Sequence, residues 1–243
     1  MPFLPLDMLR TGADELGIEL SDAKLAQFDD FAAFLVETNN YFNLTRITRP
    51  EDIVTSHYLD SLTCLAALEV KQNAQVIDVG AGAGFPGIPI KIARPDLNVT
   101  LLEATRKKVD FMTEAIERLG LVNTIAMNAR AEEIGLDPEY REQYDVAYAR
   151  AISELAVLAE LCLPLVRNGG YLVAQKSRDV DEELAAAKPI IGQLGGLVED
   201  VRQIQIPGTD IIRQLIVISK FTPTPAGYPR AYSRIVSRPK RRR

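Results

Sequence analysis

Apolar positions over the first seventy residues recur every three or four places, which is the period of helices packed on one face. In SDAKLAQFDDFAAFLVETNNYF the stripe is Leu25, Phe28, Phe31 or Ala32, and Leu35, with Ser21 or Asp22 standing where an N-cap belongs. A polar turn, NLTRITRP, follows. Pro50 then suits a helix start, with Glu51 and Asp52 in the first turn and Ile53, His57, Leu59 or Asp60, and Leu62 carrying the pattern to about Leu68.

From Ala74 the period changes. AQVIDVG is a short apolar run, GIPIKIAR is helical, NVTLLEA is a second strand, and RKKVDFMTEAIERLG is a helix with Val109, Met112, Ile116 and Leu119 on one face. NTIAMNA and YDVAYAR read as strands three and four, SELAVLAELCLPLV as a helix, GGYLVAQKS as strand five and VDEELAAAKPIIGQLGG as a helix. GLVEDVRQIQIP and IIRQLIVISKF close the series as strands six and seven, with no helix between them.

Alternating strands and helices predict a mostly parallel sheet covered on both faces, and the last two strands predict an antiparallel hairpin at one edge. The expected fold class is therefore α/β. Residues 1–72 are expected to be a helical segment packed on a main domain of 73–222, followed by a basic tail, 223–243.

Composition adds little beyond this: 243 residues, 47% hydrophobic and 25% charged, describe an ordinary globular chain. Cys64 and Cys162 sit in apolar helical patterns without metal-ligand spacing, as expected of reduced core thiols in the cytoplasm; no metal is expected. MPFLPLDMLR is too short for a signal peptide and no apolar run approaches a membrane span, so no membrane partner is expected either. Charge is more informative. From Tyr228 onward, YPRAYSRIVSRPKRRR holds seven basic residues and no acid, leaving residues 1–227 at −12. Such a tail reads as an arm for a polyanion.

The candidate chemistry lies at DVGAGAGFPG, directly after the first strand. Gly80, Gly82 and Gly84 let the backbone turn sharply and approach a ligand, at the strand ends where open α/β sheets bind their ligands. Gly82 to Gly87 satisfies the dinucleotide fingerprint G-x-G-x-x-G, and Glu103, nineteen residues beyond Gly84, can accept both hydroxyls of a ribose in either an NAD or an S-adenosylmethionine enzyme. Three features favour S-adenosylmethionine. Asp78 can support the loop or face an ammonium group, but would not help a pyrophosphate; Pro86 removes a donor that a pyrophosphate would use. Seven strands ending in an antiparallel hairpin also match the Rossmann-like class I methyltransferases rather than the six-stranded dinucleotide fold.

Nearly the whole chain resembles the bacterial small-subunit rRNA guanine-N7 methyltransferases, the RsmG or GidB family. The resemblance is carried by NLTRI, SHYLDSL, VIDVGAGAGFPGIPIKIARP, RAEE, YDVAYARAISEL and LCLPLVRNGGYLVAQKS. It implies cofactor contacts at Gly80, Phe85, Glu103, Ala104, Thr105, Ala131, Glu132 and Arg150. It also implies methyl transfer from S-adenosylmethionine to N7 of a guanine in 16S rRNA, at position 527 in the standard rRNA numbering. N7 has no proton to lose, so no general base is expected, and the chain lacks the Asn/Asp-Pro-Pro-aromatic turn of amine methylation and a nucleophilic Cys after the fourth strand. Arg150 is expected to position the target guanine through O6 or a phosphate.

Asn43, Arg46, His57 and Lys176 are further candidates for substrate contact, with Arg178 beside Lys176; His57 is equally suited to packing. The expected partner is 16S rRNA or the small-subunit particle, met by a monomer. The alternatives are a methyltransferase for another RNA guanine, an NAD-dependent oxidoreductase, and a non-catalytic RNA-binding protein.

Overall fold

A computed structural model describes residues 2–150, 153–177 and 180–237. The chain runs α1 (Leu6–Glu15), α2 (Asp22–Asn39), α3 (Pro50–Ile53), a π-helical turn (Val54–Leu59), α4 (Asp60–Ala67), β1 (Gln75–Val79), α5 (Gly87–Ala93), β2 (Asn98–Glu103), α6 (Arg106–Leu119) and β3 (Thr124–Asn128). It continues through α7 (Ala131–Ile134), β4 (Tyr144–Arg150), α8 (Leu155–Cys162), β5 (Val166–Lys176), α9 (Asp181–Gln193), β6 (Gly196–Gln205), β7 (Ile212–Lys220) and α10 (Tyr232–Ile235).

The seven strands form one sheet in the order β3-β2-β1-β4-β5-β7-β6. β1 to β5 pair in parallel, and β7 inserts antiparallel between β5 and β6. This is the seven-stranded arrangement expected from the pattern, with the strand order reversing between β1 and β4.

Strand alternation divides the core in two. Val76, Val146, Tyr148 and Leu215 point into the face covered by the N-terminal helices, α5 and α6, whereas Ile77, Ala147, Ala149 and Ile216 point into the face covered by α8 and α9. On the first face Leu25, Phe28, Phe31 and Leu35 of α2 are buried as their spacing requires, and Ser21 Oγ accepts the Lys24 N–H at 3.4 Å as its N-cap. Val70 and Ala74 belong to this same apolar cluster, so the core continues from the N-terminal helices into the sheet. Tyr58 fixes one helix on the other by donating its hydroxyl to Phe28 O at 2.9 Å.

Three features depart from the pattern. The four-residue helix α7 is too short to show a period. Pro50 does open a helix, but the segment loosens into a π turn at Val54–Leu59, where the Asp60 N–H reaches Thr55 O, five residues back. The first part of the basic C-terminal stretch is also packed rather than free. Arg230 forks onto the buried Glu160 at 2.5 and 2.8 Å, and the Arg141 guanidinium holds Thr224 O and Tyr228 O at 2.7 Å, so residues 224–235 pack on the body. Residues 238–243, which carry most of the basic charge, lie outside the described residues. Among the described residues no helix is long and apolar enough to cross a membrane.

Candidate active site

The glycine loop leaves β1 at the reversal of strand order. Gly80, Gly82 and Gly84 all have left-handed backbone, at φ 73°, 62° and 91°. The N–H groups of Gly80 and Ala81 donate to Leu102 O at 2.8 and 3.0 Å, which ties the loop to β2. Asp78 lies beneath the loop, fully buried, and its Oδ2 accepts the Gly87 N–H at 2.8 Å where α5 begins. Of its two expected roles, support of the loop is the one this contact serves. A Cβ on Gly87 would fall 2.2 Å from Leu101 Cδ2 and 2.9 Å from Asp78 Oδ2, so only glycine lets α5 start against the sheet.

Asp78 Oδ1 is buried without a hydrogen-bond partner. Burial pushes the carboxyl up to about 7, against the opposing pull of the Gly87 N–H and of Arg150. The folded chain therefore keeps a proton that the unfolded chain releases near pH ~4. That contribution to stability is complete below pH ~4 and is lost as pH rises through about 7. Urea denaturation of the wild type and Asp78→Asn between pH 5 and 8 should show the wild type losing stability relative to the variant, and parallel pH profiles would refute the assignment.

Glu103, at the end of β2, is buried, with Oε2 accepting the Gly82 N–H at 3.1 Å and Oε1 the Thr105 N–H at 2.9 Å. It faces a cavity of about 320 Å³ with Ala104, Ala131, Glu132 and Gly80. Thr105 contributes its backbone and is not part of the wall. Glu132 is held by Arg130 at 2.7 Å, and the Arg130 guanidinium sits 5.2 Å from the ring of Tyr232, which closes the same cavity. Tyr232 comes from the segment whose charge suggested a free arm.

A second cavity, about 950 Å³, opens beyond the loop, and Gly80 and Arg150 line both. Phe85 forms its apolar wall, stacked on His57 with ring centroids 4.3 Å apart and an interplanar angle of 8°, while the Arg150 guanidinium lies 5.4 Å from the same phenyl ring. Burial, reinforced by Arg150, lowers the His57 pKa to about 3, so the ring is neutral at physiological pH. His57 Nε2 lies 2.9 Å from Thr45 Oγ1; the residue both packs and lines the cavity. Lys176 also lines it, but its ammonium is engaged by Glu183 at 2.6 Å and by Ser153 O. Asn43 and Arg46 are exposed and lie outside the wall, which takes Leu44, Thr45 and Ile47 from the same turn. Arg178 lies outside the described residues.

The wall of this cavity also holds a group the pattern did not single out. The carboxylate of Asp60, buried at the end of the π turn, accepts from Arg150 Nη1 at 3.0 Å, Arg213 Nε at 2.6 Å and Gln175 Nε2 at 2.7 Å. Asp60 stood in the notable run SHYLDSL, but nothing local to it names its partners. Among the described residues no cluster of three or more His, Cys, Asp and Glu could hold a metal ion.

The strand order, the bare glycine loop under a carboxylate-bearing strand end and the paired cavities define an S-adenosylmethionine-dependent methyltransferase. The fold is shared with solved enzymes of that class. A precorrin-6y C5,15-methyltransferase from Geobacter metallireducens superposes with a TM-score of 0.53 at 18% identity, covering 75% of this chain and 95% of that one. M. jannaschii TYW2 in complex with AdoMet superposes at 0.51 and 16% identity, over 65% and 72%.

Closer relatives identify the family. The family model described as rRNA small subunit methyltransferase G matches residues 24–212. Ribosomal RNA small subunit methyltransferase G of Roseiflexus sp. is 46% identical over 96% of this chain and 99% of its own length, and that of Desulforamulus reducens is 44% identical over 91% and 92%. The chain belongs to the rRNA small subunit methyltransferase G family.

Proposed function

We propose that the enzyme methylates N7 of a guanine in 16S rRNA, position 527 in the standard numbering, acting in the cytoplasm on the rRNA or on the small-subunit particle. The observation that carries this reading is the meeting of the two cavities at Gly80 and Arg150, in a family named for small-subunit rRNA methylation. The smaller cavity suits the nucleoside of the cofactor. Its left-handed Gly80 exposes bare backbone, and Glu103 offers carboxylate lone pairs to ribose hydroxyls. The larger cavity suits one flat base against Phe85 and His57.

When bound, S-adenosylmethionine supplies an electrophilic methyl group on a positively charged sulfur. The chain's own part is placement. Guanine N7 carries a free lone pair, and the neutral His57 with a pKa of about 3 fits a reaction that moves no proton. Arg150 Nη1 is tied to Asp60 Oδ2 and Ser56 O, and among the described residues Nε and Nη2 have no hydrogen-bond partner, which leaves them for guanine O6 or a phosphate. A donor on N7 itself would occupy the lone pair that attacks, so O6 or the phosphate is the partner that permits reaction.

Chemical cleavage at 7-methylguanine in 16S rRNA, compared between cells with and without the protein, should show one site lost. Arg150→Ala should slow methylation of small-subunit particles by roughly 100-fold, the scale for removing a positioned cationic donor. A wild-type rate in that variant would remove Arg150 from the reaction, and loss of no site would overturn the guanine-N7 reading.

A further inference from the structure

Between α2 and α3 the chain makes a turn that is both fixed and partly apolar on its outer side. Asn39 Oδ1 accepts the N–H groups of Leu44 and Thr45 at 2.8 and 2.9 Å. Thr45 Oγ1 accepts the Ile47 N–H at 3.1 Å and meets His57. Lys107, from α6, sits 5.5 Å from the centroid of the Phe42 ring. Leu44, Thr45 and Ile47 turn inward and line the larger cavity.

On the same turn Tyr41 is 90% exposed, against 59% for Phe221 and 38% for Tyr232. Phe221 follows β7 at the opposite end of the sheet from the cavity, and Tyr232 already belongs to the smaller one. Beside Tyr41 on this turn Asn40, Asn43, Arg46, Thr48 and Arg49 are exposed; Arg46 has no ion-pair partner among the described residues, and Arg49 comes only within 3.9 Å of Asp52.

We propose that Tyr41 is a stacking platform for a base next to the target guanine, with Arg46 and Arg49 against the flanking phosphates, and that its partner is a single-stranded segment of the substrate RNA. The proposal rests on the RNA substrate of the preceding subsection. A guanine that enters a cavity beside Phe85 leaves its place in the stack, and its neighbours lose a face. An aromatic ring on a pinned turn at the same cavity restores one face without requiring a particular base, because every base has one. The ring does this at low entropic cost, since Asn39, Thr45 and Lys107 already hold the turn. Arg46 and Arg49 provide the charge that a backbone following that base would meet.

The test is methyl transfer by the full chain to small-subunit particles from cells lacking the protein, with S-adenosylmethionine affinity measured alongside. Tyr41→Ala should raise KM for the particle by roughly 10- to 100-fold, the size of one base–aromatic stack, and leave cofactor affinity unchanged. Tyr41→Trp should restore KM and Tyr41→Leu should not. A wild-type KM in Tyr41→Ala overturns the proposal, as does rescue by Tyr41→Leu, which would mark an apolar contact with a ribosomal protein. If the wild-type enzyme itself transfers no methyl to the particle, the RNA reading fails and takes this proposal with it; that outcome is distinct from failure of the variant series alone. The exposure of Tyr41 keeps these variants folded, and unchanged cofactor affinity verifies it.

Discussion

Asp60→Ala should destabilise the protein by about 3–5 kcal/mol, the cost of removing one partner from a buried ionic cluster. The carboxylate is the shared acceptor for Arg150 and Arg213, whose side chains are only 18% and 19% exposed, and for the buried Gln175. Alanine leaves two desolvated guanidinium groups facing each other with no anion between them, and strands the Gln175 amide as well. Asp60→Asn keeps the shape and one acceptor but not the charge, so its loss should be smaller. Methylation should slow in both, by no more in Asp60→Asn than the roughly 100-fold expected of Arg150→Ala, because Arg150 loses the charged partner that holds it. Chemical denaturation of the three proteins checks the prediction, and an Asp60→Ala variant within about 1 kcal/mol of the wild type contradicts it.

Glu103→Ala should have the largest effect on cofactor affinity. Its two oxygens already hold the Gly82 and Thr105 N–H groups at 3.1 and 2.9 Å, and the residue lines the smaller cavity with lone pairs to spare. Hydrogen bonds to a charged acceptor contribute about 1.5–3 kcal/mol each, so losing two to ribose hydroxyls corresponds to a weakening on the order of 100-fold or more. Alanine also releases the Gly82 N–H that shapes the loop. Glu103→Gln separates the two effects: it keeps an acceptor for the loop but removes the charge, and should weaken binding by less. Calorimetric titration with S-adenosylmethionine reads both variants, and an unchanged affinity in Glu103→Ala would take Glu103 out of the cofactor site.

Glu103 and Asp60 differ in how far the chain itself marks them. Glu103 was visible in the chain itself, because it ends an apolar strand at a set distance from a glycine turn, and short-range spacing of that kind survives folding unaltered. Asp60 was visible only as one of several polar positions on a helix. Its partners Arg150, Gln175 and Arg213 lie 90, 115 and 153 residues away, and no period in the sequence links them. The π turn that leads into Asp60 is equally silent, since Ile53–Cys64 are buried all round apart from the half-buried Ser56 and leave no single apolar stripe whose shift would mark the extra residue.

The C-terminal segment shows the same limit from another side. Its run of basic residues reads as an arm, yet Arg230 is committed to Glu160 and Tyr232 to the smaller cavity beside Glu103. Charge counting records what a segment could attract. It does not record the buried carboxylate, seventy residues earlier, that claims one of its arginines.

Periodicity and spacing thus settled the strands, most helices, the glycine loop and its acidic neighbour, because each depends on residues a few places apart and on backbone geometry that only certain side chains allow. Which charges share a carboxylate, which aromatic ring meets His57, and where two cavities join at Arg150 came only with the folded sheet. Those contacts depend on strand order and on the distances it sets between remote side chains, and a hydrogen bond or ring contact fails when that distance changes by about an ångström.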